Sequence, residues 1–225
     1  MPAPPTLRRT QRRLSSGQSV FIARHGETTW NITGRYQGRL ESPLSTLGVA
    51  QAQRLAESLA SHPLKRIISS PLGRCVATAR IVAEKFGLTV ETDPLLIEIA
   101  HGSWEGRYRD ELAANDPERY RQWRHQPEIV QFENGESIRD VLARWRRFVS
   151  GFHPSEDTLL VSHDAVVRVA LVDLLKRPLS EFWKSRVMNG AYAWFQVTGS
   201  TWEVVRECVS DHLAGLVADP STQAL

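Results

Sequence analysis

The sequence predicts an α/β fold, with one domain in which three layers, α/β/α, surround a mostly parallel central sheet. Strand-like and helix-like segments alternate between residues 19 and 213, which is typical of sheets that carry helices on both faces. The 225 residues are 41% hydrophobic and 24% charged, close to the average of globular proteins. No apolar run approaches the ~18 residues that a membrane span needs, so we expect no membrane partner.

The strands are predicted from short runs that are rich in β-branched residues and end at turn signals. Four such runs lead into helical segments and are expected to be parallel. They are 19–24, 66–69, 88–91 and 158–162. Two later runs, 192–197 and 202–205, flank a Thr-Gly-Ser turn and therefore predict a β-hairpin.

The helices are predicted from the spacing of apolar residues and from capping residues. Ser45 or Thr46 caps the helix that follows the first strand. Pro71 suits the first turn of the next helix, and Gly87 suits its carboxyl end. Further helices are expected at 108–114, 117–125, 137–149 and 164–175. Three arginines in the helix over 137–149 are predicted to form a solvated face: Arg144, Arg146 and Arg147.

The sequence predicts one domain at 19–213 with a tail at each end. Within that domain, segment 93–135 is expected to be an insertion that covers the substrate. Residues 1–18 hold four arginines and no acid, so we expect a disordered basic tail, with an organelle transit peptide or a polyanion-binding tail as alternatives. Residues 214–225 are expected to be flexible. The tail has no apolar stretch of the secretory kind, which predicts a cytoplasmic location.

The formal charge of +3 is a property of the predicted basic tail. Once its four arginines are set aside, the rest of the chain holds slightly more acids than bases. We therefore expect no nucleic-acid partner, although a nucleic-acid module stays open as an alternative. The two cysteines, Cys75 and Cys208, allow neither a disulfide framework nor a zinc site of the CxxC kind.

Polar side chains follow three of the predicted strands at the point where each strand ends. Arg24 and His25 follow the first, Arg74 the second, and His163 and Asp164 the run TLLVS. Because ligands bind at the carboxyl ends of such strands, these side chains are expected to share one site. Guanidinium groups match the geometry of phosphate, and a neutral histidine nitrogen is a nucleophile. The sequence therefore predicts a phosphate site at this edge.

Seven motifs, in order along the chain, resemble those of the histidine phosphatase superfamily, the phosphoglycerate mutase-like group. They are ARHGETTWN (23–31), GRYQG (34–38), LSTLGVAQA (44–52), SSPLGRCVATA (69–79), IEIAHGSWEG (97–106), NGES (134–137) and VSHDAVVR (161–168). The resemblance covers about residues 18–213. It implies a phosphoglycerate mutase-like fold and a phosphohydrolase that needs no metal and no cofactor.

The resemblance also implies catalytic roles. His25 would be the nucleophile that forms a phosphohistidine, and Arg24 and Arg74 would clamp the phosphoryl oxygens. His163 would hydrogen-bond the phosphate and add positive charge. Glu98 would be the general acid, since a desolvated carboxyl has a raised pKa and holds its proton near neutral pH.

The remaining residues of the matched motifs are expected around the substrate. Asn31 would contact the phosphate, and Gln37 and Gly38 would line the entrance. Asp164 departs from the pattern, because glycine usually follows the second histidine; an anion there could orient His163 or repel the substrate.

The narrowest resemblance is to the metal-independent phosphoserine phosphatases of this superfamily, which implies that His101 and His212 bind the substrate carboxylate. L-Phosphoserine is therefore the leading substrate, with other small phosphomonoesters as alternatives. Phosphoglycerate mutases usually have a longer segment than the one between Glu98 and His163, which favours a phosphatase. Mutase-type phosphotransfer and a phosphate-binding scaffold without activity stay open as alternatives. Homodimers are common in this group, so we expect one here.

Overall fold

The computed structural model describes residues 17–216, and within them six strands form one sheet in the order β3-β2-β4-β1-β5-β6. The strands are β1 (Gln18–Arg24), β2 (Arg66–Ser69), β3 (Val90–Thr92), β4 (Thr158–Ser162), β5 (Tyr192–Thr198) and β6 (Thr201–Val209). β1 begins inside the segment predicted as a tail. Most of that tail, and most of the predicted C-terminal tail, lie outside the described residues.

The sheet is mostly parallel, as predicted. β1 runs parallel to β4, and β2 runs parallel to both β4 and β3. The antiparallel strands β5 and β6 extend the sheet from β1 as the expected hairpin. β3 lies later than the predicted run 88–91, because the chain leaves the preceding helix through Gly87, which has a left-handed φ of 64°.

Helices cover both faces of the sheet, which confirms the three-layer architecture. They are α1 (Thr29–Ile32), α2 (Thr46–Leu59), α3 (Gly73–Phe86), α4 (Arg109–Asn115), α5 (Pro117–His125), α6 (Ile138–Gly151) and α7 (Asp164–Leu174). α2 and α3 pack together on one face, and α6 and α7 pack together on the other. None of the helices within residues 17–216 has the length and apolar character that a membrane span requires.

Capping side chains set where two of these helices begin. The Ser45 hydroxyl accepts from the backbone N–H of Gly48 at 3.0 Å and starts α2. Ser137 and Asp140 form a reciprocal capping box at the start of α6. Each arrangement satisfies backbone donors that have no partner inside the helix, which is why polar residues precede both apolar repeats.

β1 contributes to a hydrophobic core on each face of the sheet. Val20 and Ile22 point to the core under α6 and α7, whereas Phe21 and Ala23 point to the core under α2 and α3. Both sets are buried, as is typical of strands in a parallel sheet. The uninterrupted apolar run in the sequence therefore results from burial on both faces.

The inserted segment 93–135 packs on the α6 side of the sheet and joins its core. Trp104 and Trp123 are buried there. Arg144 was predicted to lie on a solvated helix face, and this is wrong. Its side chain is 11% exposed, pairs with Glu136 and donates to the carbonyl of Leu95 at 2.8 Å. The insertion covers that part of α6, and helical spacing alone does not reveal which part of a helix another segment covers.

The start of α2 and the turn after β1 approach so closely that only glycine fits. A Cβ on Gly48 would overlap the carbonyl oxygen of Glu27. We expect Gly48→Ala to lower the free energy of unfolding by about 1–3 kcal/mol, because the helix or the turn must shift. Denaturant unfolding measures this. Gly151→Ala is the matched control, since no atom lies within 4 Å of a Cβ there; equal losses in both variants would contradict the prediction.

Candidate active site

A pocket with about 380 Å³ of empty space lies at the carboxyl edge of the parallel strands. The side of the sheet is the one predicted from the sequence, and nine of the eleven predicted site residues line the pocket. They are Arg24, His25, Asn31, Gln37, Gly38, Arg74, Glu98, His101 and Asp164. Trp123 and Ala165 complete the lining. His163 and His212 do not line it.

His25 is held in one tautomer. Its Nδ1 lies 2.7 Å from the carbonyl oxygen of Gly26, and a carbonyl only accepts, so Nδ1 carries the hydrogen. Nε2 is therefore the nitrogen that keeps a lone pair. Burial, and then the charges of Arg74 and Arg24, hold the pKa of His25 well below its usual range. The ring is thus neutral at physiological pH and is a competent nucleophile.

A loop after the last crossover helix fixes the backbone around His25. Asn189 donates from Nδ2 to the carbonyl of His25 at 3.1 Å, and Gly190 donates from its N–H to the carbonyl of Arg24 at 3.1 Å. This role of Asn189 is not predicted from the sequence. The Asn-Gly pair indicates a turn, but nothing local in the sequence shows that the turn reaches a segment so distant along the chain.

The two predicted clamp arginines are buried and oriented by the protein. Arg24 Nη1 lies 3.2 Å from the carbonyl of Val187 and 3.3 Å from Asp164 Oδ1. Arg74 donates from Nη2 to the carbonyl of Gly38 and from Nη1 to that of Leu40. Such contacts hold both guanidinium planes in place, so little ordering remains when a phosphoryl group binds.

His163 is buried beside His25 and Arg74 and does not line the pocket. Its ring centroid lies 5.3 Å from that of His25. Nδ1 accepts from Arg74 Nε at 3.2 Å, so Nε2 carries the hydrogen and donates to Ser70 Oγ at 2.7 Å. Burial and the charge of Arg74 hold the pKa of His163 well below its usual range. The expected positive charge is therefore absent, and the geometry makes His163 a residue that positions Arg74.

Glu98 has the environment of a general acid. It is buried in the pocket wall, and one carboxylate oxygen accepts from the backbone N–H of Ile99 at 2.8 Å. Burial raises the pKa of Glu98 to about 7, although Arg74 opposes the shift. Near neutral pH the carboxyl is therefore protonated in a substantial fraction of molecules and can act as acid and then as base.

Asn31 and Gln37 present amide donors to the pocket because their carbonyl oxygens are occupied. Asn31 Oδ1 accepts from the backbone N–H of Thr28 at 3.0 Å. Gln37 Oε1 accepts from Thr28 Oγ1, also at 3.0 Å. The Nδ2 and Nε2 groups are then the ends that can donate to a phosphoryl oxygen, which agrees with the sites predicted from the motifs.

The two histidines predicted to bind a carboxylate lie in different places. His101 lines the pocket, is buried among Tyr36, Trp123 and Phe132, and within the described chain neither of its ring nitrogens has a hydrogen-bond partner. Burial lowers its pKa to about 3, so it is a neutral donor. His212 lies outside the pocket.

His212 is instead a structural residue of the C-terminal turn. Its Nε2 lies 2.9 Å from the carbonyl of Gly190, so it donates there, and its ring stacks on Tyr192. The sequence showed a histidine near the end of the domain but not the face of the turn on which it lies. Its contact supports the loop that holds His25.

The site thus combines a neutral nucleophile, two guanidinium groups, amide donors and a carboxyl with a pKa near 7. Within residues 17–216 no group of three or more His, Cys, Asp or Glu side chains is arranged to hold a metal ion. The set suits transfer of a phosphoryl group, which needs positioning and charge stabilisation above all.

Comparison with known proteins identifies relatives over most of the chain. The sequence model of the histidine phosphatase superfamily (branch 1) matches residues 20–209. Phosphoserine phosphatase 1 of Hydrogenobacter thermophilus is 37% identical over 77% of this chain and 84% of its own. The adenosylcobalamin/alpha-ribazole phosphatase of Salmonella typhimurium is 33% identical over 77% and 88%. A probable phosphoglycerate mutase of Yersinia pestis, GpmB, is 33% identical over 81% and 86%.

The fold also matches that of a solved structure over most of the chain. YhfR of Bacillus stearothermophilus superposes with a TM-score of 0.83 and 31% identity, covering 87% of this chain and 99% of its own. The architecture is therefore that of a known structural class.

Proposed function

The chain belongs to branch 1 of the histidine phosphatase superfamily and is a phosphatase, and from this premise we propose that it hydrolyses a small phosphomonoester through a phosphohistidine at His25. The observation that carries the proposal is the tautomer of His25. Its Nδ1 is committed to the carbonyl of Gly26, so the lone pair is on Nε2. Trapping of the phosphoenzyme and mapping of the phosphoryl group to His25 test it.

The reaction has two steps that use the same groups. In the first, His25 Nε2 attacks phosphorus, the phosphorus–oxygen ester bond breaks, and the proton of Glu98 passes to the leaving oxygen. In the second, a water attacks the phosphorus of the phosphohistidine, the phosphorus–nitrogen bond breaks and returns the lone pair to His25 Nε2, Glu98 takes a proton from the water, and inorganic phosphate leaves. Arg24 and Arg74 neutralise the phosphoryl oxygens during both transfers.

We expect the activity to be independent of divalent metal, because the two guanidinium groups supply the positive charge that Mg²⁺ provides in many phosphoryl-transfer sites. The prediction is an unchanged kcat/KM after dialysis against EDTA, measured with EDTA in the assay. A loss of activity that added Mg²⁺ or Mn²⁺ restores would contradict it. A metal-dependent phosphatase assayed in parallel shows that chelation was complete.

L-Phosphoserine is the leading substrate. The relative from Hydrogenobacter thermophilus is named for that activity, and His101 stands in the pocket as a neutral donor for the substrate's carboxylate. A panel of phosphoserine, phosphothreonine, phosphoethanolamine, 3-phosphoglycerate and sugar phosphates tests the assignment. A higher kcat/KM for a sugar phosphate would identify a phosphatase of broader or different specificity.

Mutase-type phosphotransfer is the second candidate, because one relative is named a probable phosphoglycerate mutase. It requires that a phosphoglycerate, not water, accept the phosphoryl group from His25. Interconversion of 2- and 3-phosphoglycerate that a bisphosphoglycerate primer stimulates would establish it. Release of inorganic phosphate without interconversion would exclude it.

A further inference from the structure

A carboxylate lies in the pocket next to the arginines that bind the phosphoryl group. Asp164 lines the pocket in the first turn of α7 and is 6% exposed. Its Oδ1 lies 3.3 Å from Arg24 Nη1, yet among residues 17–216 it accepts no hydrogen bond. The ion pair with Arg24 offsets part of the cost of burying this oxygen, and a bound donor with good hydrogen-bond geometry offsets the rest. This oxygen is therefore a point at which a substrate donor gains binding energy.

Arg168 holds the other carboxylate oxygen of Asp164 in place. Arg168 donates from Nε to Oδ2 at 2.7 Å. The Arg168 guanidinium lies 4.8 Å from the ring centroid of Trp183 and donates to the carbonyl of Ser185. Trp183 in turn donates from its Nε1 to the carbonyl of Trp123, in the pocket wall. These contacts keep the carboxylate in place.

Among the described residues that line the pocket, none adds a positive charge to those of Arg24 and Arg74, the arginines proposed to bind the phosphoryl group. Among the described residues that line it, Arg24 and Arg74 are the cations at neutral pH, since the pKa of His25 and that of His101 are both low. The part of the substrate beyond the ester oxygen therefore meets neutral groups, the Asp164 carboxylate and the carboxyl of Glu98, whose pKa is about 7. Such surroundings favour a cation on the leaving group over a second anion.

Resting on the proposed phosphatase function, we infer that Asp164 binds an ammonium group of the substrate and so selects aminoalkyl phosphomonoesters over their hydroxyl counterparts. The reach is suitable. Arg24 Nη1 already donates to Val187 and pairs with Asp164, so a phosphoryl oxygen would bind another nitrogen of the guanidinium group. It would then lie within about 9 Å of Asp164 Oδ1, a span that includes the hydrogen bond from the ammonium group. In phosphoethanolamine and phosphoserine only two carbons separate the ester oxygen from the ammonium nitrogen, so one small molecule spans both groups.

Matched substrate pairs test the inference. Phosphoethanolamine and 2-hydroxyethyl phosphate differ only in an ammonium or a hydroxyl at the same position. L-Phosphoserine and the 3-phosphoglycerate enantiomer of the same configuration differ in the same way. We expect kcat/KM to favour the ammonium member of each pair by about tenfold or more, the effect of one charge-assisted hydrogen bond. In Asp164→Asn the ratio should fall to about one.

Binding measurements separate this inference from the proposed function. Calorimetry with His25→Ala, which cannot turn over by the proposed route, should give the same preference for the ammonium member. The double variant with Asp164→Asn should lose it. Because each ratio compares two ligands on one protein, a general loss of affinity or of folded protein does not change it. Absence of hydrolysis would refute the proposed function, whereas the binding ratio would still decide the role of Asp164.

Asp173→Asn is the control. Asp173 lies on the same helix and pairs with Arg146, away from the pocket; its replacement should leave the ratios unchanged. A wild-type protein that treats both members of each pair alike would overturn the inference. So would an Asp164→Asn variant that loses the same factor for both members, since Asp164 would then only orient Arg24.

Discussion

Replacing His25 with alanine is expected to lower kcat for every phosphomonoester by at least about 10³-fold, because the lone pair proposed to attack phosphorus is removed with the ring. The Nε2 of His25 is free to react, since Nδ1 is bound to the carbonyl of Gly26. His163, the neighbouring histidine, cannot replace it, because its two nitrogens are engaged by Arg74 and Ser70. Steady-state release of inorganic phosphate measures the loss.

The same variant should not form the covalent intermediate. Rapid quenching of wild-type protein in alkali, followed by intact-protein mass spectrometry, should show one added phosphoryl group that acid removes. Peptide mapping should place it on His25. His153→Ala is the control, because His153 is exposed and lies outside the pocket. Full activity in His25→Ala, or a label on another residue, would rule out the mechanism.

The sheet could be predicted from local sequence because local sequence determines its strands. β1 and β4 are short runs that are mostly apolar, and both faces of each are buried. Residues at the ends of parallel strands then meet at one edge whatever the details of packing, which is why Arg24 and Arg74 could be placed together. The identity of most pocket residues follows from that topology and from the motifs.

The orientation of side chains could not be predicted in the same way. The ring of His163 contacts Arg74 and Ser70 because helix α3 places Arg74 next to it. A sequence motif contains no information about that contact. His212 bonds to the carbonyl of Gly190 for the same kind of reason, since the partner lies in a separate loop. Charge state depends on such contacts, so the sequence suggested a cation at His163 where burial leaves a neutral ring.

Glu98→Gln is expected to lower the rate of phosphoenzyme formation from alkyl phosphates by about 10²- to 10⁴-fold. An alkoxide is a poor leaving group unless it receives a proton, and glutamine has none to give. The loss should be much smaller with 4-nitrophenyl phosphate, whose leaving group is stable as an anion. Single-turnover rates with both substrates measure the difference. Equal losses would contradict the assignment of Glu98 as the acid.

The pH dependence tests the same residue independently. Burial raises the pKa of Glu98 to about 7, so the acid form predominates below that pH and is lost above it. The rate of phosphoenzyme formation from an alkyl phosphate should therefore fall as pH rises through about 7. In Glu98→Gln this limb should be absent, because the side chain no longer titrates.

A surface carboxyl supplies the control for both experiments. Glu91 is paired with Arg66, which lowers its pKa, so it is already ionised across the range in which Glu98 titrates. Glu91→Gln should keep the wild-type rate and the wild-type pH limb. If the rate of Glu98→Gln still fell as pH rose through about 7, another residue would be the titrating group. The buried Glu98 would then have a structural role. If Glu98→Gln lost rate only with alkyl phosphates and also lost the fall in rate above pH 7, the proton that leaves with the alcohol would be assigned to Glu98.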